Sequence, residues 1–145
     1  MKTNEKKILE EVRKNSRVSL TYLAYKAEMP ISSTFNKLKE LENSVIKKYT
    51  SIIDFKKLGY STWSKLIIKV NKNQREDFKN YVLTNESVNS VFEINNGYDF
   101  LIETFHENKI DLKFFIENLQ EKFDISSMQI IDVINDLQRE RFMVK

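Results

Sequence analysis

Six hydroxyl, amide and ammonium side chains lie close together between residues 32 and 39. They are Ser32, Ser33, Thr34, Asn36, Lys37 and Lys39. Hydroxyl and amide groups can bond the edges of bases, and lysine ammonium groups can reach phosphates or guanine. On a helix they would face outward, with Phe35, Leu38 and Leu41 pointing inward. The same composition is also typical of an ordinary solvated helix face, so this face alone does not establish nucleic-acid binding.

Two further helical patterns precede this segment. Ile8, Leu9 and Val12 share one face of a first helix, which should end near Asn15-Ser16. Ser19 is a plausible N-cap for a second helix, whose inward residues would be Leu20, Leu23, Ala24 and Ala27. Pro30 cannot continue that helix, and Ser32 or Ser33 offers a new N-cap. The pattern predicts a helix, a tight turn and a third helix.

A short extended segment follows the third helix. Residues 45–49 begin with Val45-Ile46 and continue with Lys47, Lys48 and Tyr49. An apolar start and a doubly basic centre are typical of a wing that lies beside a nucleic-acid backbone. We therefore expect a short hairpin, with Lys47 and Lys48 near phosphates and Lys6 and Lys7 adding to the same charge.

Charge divides the chain unevenly. Residues 1–60 carry 13 Lys or Arg and 7 Asp or Glu, a net +6, whereas residues 61–145 carry 11 and 14, a net −3. A basic module joined to an acidic one suits a phosphate-binding domain attached to a second domain, although a charged half can also be a well-solvated surface. We expect domains at 1–60, including the linker, and at 61–145.

The amino-acid composition excludes most kinds of catalytic site. The chain has no cysteine and one histidine, so cysteine metal sites, thiolate nucleophiles and multi-histidine metal centres are excluded within one chain. No catalytic residue, metal or cofactor is therefore expected. No long apolar span or basic-then-apolar leader is present, which predicts a cytoplasmic location.

The second half has a strand, helix, strand, strand, helix, strand pattern. Leu66, Ile68 and Val70 alternate in the first strand, and Asn95-Asn96-Gly97 separates two middle strands as a tight hairpin. This order predicts a ferredoxin-like βαββαβ domain in an α+β protein. Its helices cover one sheet face, so the other should bury itself in a dimer or higher oligomer. Candidates for that face are Trp63, Ile67, Val91, Leu101, Phe105, Ile131 and Val133.

The first half resembles the Lrp/AsnC (feast/famine) family of transcription regulators. The residues that carry the resemblance are Ile8-Leu9, Leu23-Ala24, Ser32-Ser33-Thr34, Leu38, Leu41-Glu42, Val45-Ile46, Tyr49, Asp54 and Leu58-Gly59. The resemblance implies a winged helix-turn-helix in which residues 32–42 read double-stranded operator DNA. Family members usually have a glycine before the valine–isoleucine pair, where this chain has Asn43-Ser44. Because asparagine tolerates positive φ, we expect the turn into the wing to survive.

Gly97, Tyr98 and Asp99 extend the resemblance into the second half, since the family's ligand-binding (RAM-type) domain has a glycine, an aromatic and an aspartate in its central hairpin. In the family, small effectors, frequently amino acids, bind between dimers near this hairpin, which nominates Asn96, Gly97, Tyr98 and Asp99 as effector-binding residues. A purely structural turn is the alternative. The tail, residues 136–145, is longer and more charged than the usual ending, and we read it as a terminal helix.

Two other classes of protein remain open. Siroheme decarboxylase subunits share the two-domain outline, and His106 could serve such an enzyme as an axial ligand or proton donor, although a lone histidine at a strand end is usually a surface residue. Asp77, Glu93, Glu103 and Asp132 show no catalytic spacing. A protein or RNA interaction module is the other alternative. Operator binding by a dimer or higher oligomer accounts for more of the pattern.

Overall fold

The computed structural model describes residues 2–142, which pack as two compact units. The first comprises residues 2–52 together with 137–142, and the second comprises residues 53–136. The boundary expected after Tyr60 lies eight residues beyond this division, and the tail packs with the first unit instead of the second. None of the helices described has the length and apolar character needed to span a bilayer.

The first unit contains α1 (Thr3–Lys14), α2 (Leu20–Ala27) and α3 (Ile31–Ser44). Ser19 caps α2 as predicted, because its hydroxyl accepts a hydrogen bond from the amide of Tyr22 at 3.2 Å. The three helices bury a small apolar core, to which each contributes. Its members are Ile8, Leu9, Val12, Leu23, Ala27 and Leu41.

The turn between α2 and α3 is sharp. Glu28 ends α2 in the left-handed region, at φ 56°, and Pro30 is the N-cap of α3. The predicted cap at Ser32 or Ser33 is therefore wrong. Proline fixes its own φ and has no amide hydrogen to satisfy, so the helix begins directly after it, at Ile31. Both serines consequently lie inside the first turn of α3.

The segment after α3 is extended but forms no hairpin. Among the described residues, 46–54 belong to no strand, so the predicted wing hairpin is wrong. Ile46 packs against the core of the first unit, and the Tyr49 hydroxyl donates a hydrogen bond to Glu42 at 3.0 Å. These two contacts hold the segment against α3, and the described residues of the first unit contain no second strand with which it could pair.

The tail is not helical over its described residues, 136–142. Phe142 packs against the core of the first unit, Glu140 forms an ion pair with Arg13, and Glu140 itself has φ 58°. Docking of the tail onto α1 in this extended form replaces the terminal helix expected from its charge pattern.

The second unit is the predicted βαββαβ domain. Its elements are β1 (Thr62–Val70), α4 (Arg75–Leu83), β2 (Val88–Glu93), β3 (Phe100–His106), α5 (Lys109–Lys122) and β4 (Ile125–Asp132). The strands form one antiparallel sheet in the order β2-β3-β1-β4. The even-numbered side of β1 packs against α4 and α5, where Leu66, Ile68, Phe78 and Leu119 are buried.

The other sheet face is only partly covered by the unit itself. Cross-strand pairs place Trp63 beside Phe105 and Ile67 beside Leu101, so these four residues share that face, as predicted. Phe55 covers one end, with its ring 4.2 Å from that of Phe105. The remaining apolar side chains define what we call the open face. They are Trp63, Ile67, Phe92, Leu101 and Ile131.

Val91 does not belong to the open face. It pairs with Ile102 and packs against the helix-side core. A register irregularity between Val88 and Ser90 shifts the alternation of β2 by one residue. Phe92 therefore takes the position that the sequence had assigned to Val91.

Candidate nucleic-acid interface

The outward face of α3 begins in the first turn of the helix. Ser32, Ser33, Asn36 and Lys39 are exposed, and within the described chain the first three make no side-chain hydrogen bond. Over the described part of the chain, no side chain forms a capping hydrogen bond at the N-terminus of α3. The predicted polar face therefore exists for these four residues, and three of them are free to bind a ligand.

Thr34 was placed on this face by the sequence, and that assignment is wrong. It is fully buried, and its hydroxyl donates a hydrogen bond to the carbonyl oxygen of Pro30 at 2.9 Å. Thr34 lies seven residues before buried Leu41, so both occupy the core side of α3. The intrahelical bond satisfies the hydroxyl and removes Thr34 from the set of possible base contacts.

Phe35 takes the outward position instead. The sequence predicted it to point inward, yet it is 47% exposed. A step of one residue turns a helix by about 100°, so burying Thr34 rotates Phe35 toward solvent. The Lys39 ammonium lies 5.7 Å from the centre of its ring. The spacing of Thr34, Leu38 and Leu41 was the signal that could have identified this rotation.

Lys37 is not freely presented. Its ammonium lies 3.2 Å from Glu5 on α1 and also contacts Glu40. These interactions, with Glu40 first and Glu5 second, raise the pKa of Lys37. The side chain therefore links α3 to α1, and a change at Lys37 would disturb this packing as well as any contact with nucleic acid.

Lys47 and Lys48 remain candidates for phosphate contact. Both are exposed, and neither forms an ion pair with a carboxylate among residues 2–142. They follow α3 in the segment that Tyr49 holds, where burial and Glu42 raise the pKa of Tyr49 to about 12. Both lysines also line a cavity of about 580 Å³, together with residues of α1 and the tail.

The two lysines of α1 that were expected to contact phosphates are less accessible than Lys47 and Lys48. Lys6 is partly buried, and the Lys7 ammonium lies 2.6 Å from the Glu28 carboxylate. Lys7 can therefore reach a phosphate only by leaving Glu28.

The central hairpin carries the residues nominated for an effector. Asn96 and Gly97 form its exposed tip with φ of 62° and 86°. Positive φ at both positions is what a two-residue type I′ turn requires, and this explains the Asn-Gly pair. The Tyr98 hydroxyl accepts a hydrogen bond from Gln129 at 2.7 Å.

Asp99 stabilises the fold of the hairpin. One carboxylate oxygen accepts the amide hydrogen of Val70 at 2.9 Å, and the other lies 2.7 Å from the Arg75 guanidinium. Its side chain is nearly buried. Of the four nominated residues, Asp99 therefore anchors the hairpin, while Asn96, Gly97 and Tyr98 are accessible to a ligand.

His106 is buried and not on the surface where the sequence had placed it. It is 4% exposed, and its ring centre lies 5.1 Å from that of Phe115 on α5. Its Nε2 atom has no hydrogen-bond partner among residues 2–142, and burial lowers the pKa of His106, with Asp111 acting in the opposite direction. The alternative role of His106 as an axial ligand or proton donor stays a prediction. No group of three metal-binding side chains occurs within residues 2–142.

Sequence comparison finds relatives among transcriptional regulators. No family model matches the chain. It is 28% identical over 110 residues to the HTH-type transcriptional regulator LrpC of Bacillus subtilis, covering 75% of this chain and 76% of LrpC. It is 25% identical over 114 residues to the HTH-type transcriptional regulator FL11 of Pyrococcus furiosus, covering 78% and 76%. These relatives carry the names of regulators and not of enzymes.

Solved structures show the same fold. LrpC of B. subtilis matches with a TM-score of 0.84 and 24% identity, over 95% of this chain and 99% of LrpC. AsnC of Escherichia coli matches with a TM-score of 0.85 and 15% identity, over 98% and 97%. A transcriptional regulator of Neisseria meningitidis, solved in complex with L-Met, matches with a TM-score of 0.88 and 19% identity, over 97% and 94%.

The matched proteins are of the same kind as the family that the sequence resembles. Both halves of the chain are covered, including the three-helix unit and the βαββαβ domain. The resemblance is thus confirmed: the chain is related to the helix-turn-helix transcriptional regulators of the Lrp/AsnC family and has their fold.

Proposed function

We propose that this chain is a sequence-specific DNA-binding transcription regulator that inserts α3 into the major groove. The observation that carries the proposal is the exposed, unengaged set of Ser32, Ser33 and Asn36 in the first two turns of α3. A recognition helix contacts base edges through its N-terminal residues, and asparagine can bond adenine through two hydrogen bonds. Lys47 and Lys48 supply charge for phosphates, and Lys39 adds to it when it leaves Glu42, with which it pairs at 2.9 Å.

The regulator acts as a dimer or higher oligomer. The open face of the second unit leaves Phe92 and Ile131 exposed beside Trp63, Ile67 and Leu101, which favours burial against another copy. Two recognition helices related by a two-fold axis can occupy successive major grooves about 34 Å apart. Doubling the contacts raises both affinity and selectivity.

A small effector, such as an amino acid, regulates this binding from the hairpin. Asn96 and Gly97 present exposed backbone at its tip, and the Tyr98 hydroxyl can donate a hydrogen bond while it accepts one from Gln129. One structural neighbour was solved with L-Met. A shift of the thermal midpoint with one of the twenty amino acids, abolished by Tyr98→Phe, would support this site.

The test of DNA reading compares two asparagine variants of the full chain. The wild-type chain first selects a duplex from a randomised library, and fluorescence anisotropy then measures its affinity for that duplex and for a scrambled duplex. Asn36→Ala should weaken selected binding about tenfold, since one base contact is removed, and leave scrambled binding unchanged. Asn118→Ala, at an exposed position on α5, is the matched control and should change neither affinity.

The same test also measures binding to double-stranded RNA of the same sequence. Its major groove is too deep and narrow for a helix, so the regulator should prefer DNA strongly. Equal affinity for RNA and DNA, or equal effects of Asn36→Ala and Asn118→Ala, would contradict major-groove reading by α3.

A further inference from the structure

An apolar stripe lies on the exposed face of α3, among its polar residues. Ile31 is 52% exposed and Phe35 is 47% exposed, and they are four residues apart, so they are neighbours on one side of the helix. Lys39 follows four residues later and holds its ammonium over the Phe35 ring. This stripe borders Ser32 and Asn36, the residues that we assign to base contacts.

The core of the first unit has no place for Phe35. Thr34 and Leu41 occupy the buried side of α3, and Leu38 packs against the same core. Ring contact with Lys39 covers only one part of the Phe35 surface. The exposed part of the Phe35 ring, together with Ile31, is apolar surface that an apolar group of a partner would remove from water at a gain in free energy.

The major groove presents one apolar group at its base edges, the 5-methyl group of thymine. The other edge groups are hydrogen-bond donors and acceptors, which a phenyl ring cannot satisfy. Phe35 stands in the second turn of α3, next to Asn36, and therefore in the half of a recognition helix that meets bases.

We propose that Phe35 is a specificity-determining residue that packs against a thymine methyl group in the operator. This inference rests on the proposed function, and it assigns the chemistry of one base position. The operator has a thymine in each half-site at the base step beside the one that Asn36 contacts. Lys39 lies over the ring, and its ammonium, which pairs with Glu42 at 2.9 Å, must leave that carboxylate to approach the adjacent phosphate.

The test removes the methyl group from the DNA without changing any hydrogen-bonding group. A duplex selected by the full wild-type chain is synthesised with thymine and again with deoxyuridine, one position at a time, and each affinity is measured by anisotropy. At the contacted thymine, loss of one methyl should weaken binding about fourfold, and loss in both half-sites about fifteenfold. Phe35→Ala should bind both duplexes with equal affinity.

Tyr25→Ala is the matched control, because Tyr25 is an exposed aromatic on α2 and not on α3. It should keep the full thymine-to-deoxyuridine ratio of the wild type, whatever its overall affinity. Circular dichroism and thermal unfolding establish that both variants are folded, as expected for side chains that lie outside the core.

The outcomes separate the role of Phe35 from DNA reading itself. Selection of a duplex whose affinity is the same with deoxyuridine at every position would overturn the role of Phe35 and leave DNA reading by α3 intact. If Phe35→Ala keeps the wild-type ratio of affinities for the thymine and deoxyuridine duplexes, the proposed role of Phe35 is also overturned. Failure of the wild-type chain to enrich any duplex would overturn the proposed function, and the role of Phe35 with it.

Discussion

Whether a residue of α3 faces the core or solvent depends on which of its neighbours in the helix are buried. Thr34 enters the core because its hydroxyl bonds the Pro30 carbonyl within the helix, which makes burial of this polar group inexpensive. Phe35 is then left outside. An apolar count along α3 cannot anticipate this exchange, since it ranks phenylalanine above threonine at every inward position.

Burial of His106 predicts a pH dependence of stability. Desolvation lowers the pKa of the folded imidazole, so the unfolded chain binds the proton more readily. The stability that comes from the neutral, buried His106 is complete above the pKa of histidine in the unfolded chain, about 6.5. It is lost as the pH falls from there toward the lower pKa of His106 in the folded chain. The free energy of unfolding should therefore decrease between about pH 7 and pH 5.

His106→Leu provides the comparison, since leucine fills a similar volume without titrating. Denaturant unfolding at several pH values should give a shallower decline for the variant than for the wild type. Parallel curves for the two proteins would mean that the buried imidazole does not take up a proton on unfolding in this range.

Elements follow the sequence pattern closely where local chemistry decides them. Ser19 caps α2, the Asn96-Gly97 pair forms the hairpin, and the alternation of Leu66, Ile68 and Val70 marks the buried side of β1. Each signal is contained in a few adjacent residues, and each prediction is confirmed.

Elements that depend on distant partners were predicted less well. The segment 46–54 has strand-like residues, but a hairpin needs a second strand, which the described part of the first unit does not contain. The tail has helix-forming charges, but Phe142 docks into the three-helix core. The irregularity in β2 that turns Val91 inward is set by pairing with β3, which lies outside the local sequence.

The turn of the helix-turn-helix stores a small amount of strain that a substitution should release. Glu28 has φ 56°, a region that favours glycine over residues with a Cβ atom. Glu28→Gly should raise the thermal midpoint by a few degrees, despite loss of the exposed ion pair with Lys7.

Glu28→Gln separates the two effects, because it removes the charge and keeps the side chain. Calorimetry should show a midpoint near that of the wild type for glutamine and a higher one for glycine. A lower midpoint for Glu28→Gly than for Glu28→Gln would show that the left-handed conformation costs nothing here.

At the scale of the whole chain, the sequence predicted the fold of each domain and their order along the chain. The division between the two units follows residue 52, and not Tyr60, because contacts between residues far apart in sequence decide it. The second unit has an open apolar face that its own helices do not cover. Phe92 is 55% exposed on this face, whereas Phe114 is 57% exposed on the outer side of α5.

This pair of phenylalanines gives a matched test of assembly. Phe92→Lys should weaken self-association, because a charge would be buried between copies, while Phe114→Lys should not. Sedimentation equilibrium measures both. Loss of assembly in Phe114→Lys alone would place the interface on the helices and not on the open face.

Whether the chain reads duplex DNA is decided by a salt titration of binding. The wild-type chain should bind a selected duplex more tightly than random duplex, and both affinities should fall as salt rises, because lysines release counterions from phosphates. Replacing Lys47 and Lys48 by alanine should weaken both and reduce the salt slope by about one for each phosphate that is no longer neutralised, whereas Lys113→Ala should not. Equal affinity for selected and random duplex, or no binding at low salt, would contradict DNA reading by this chain.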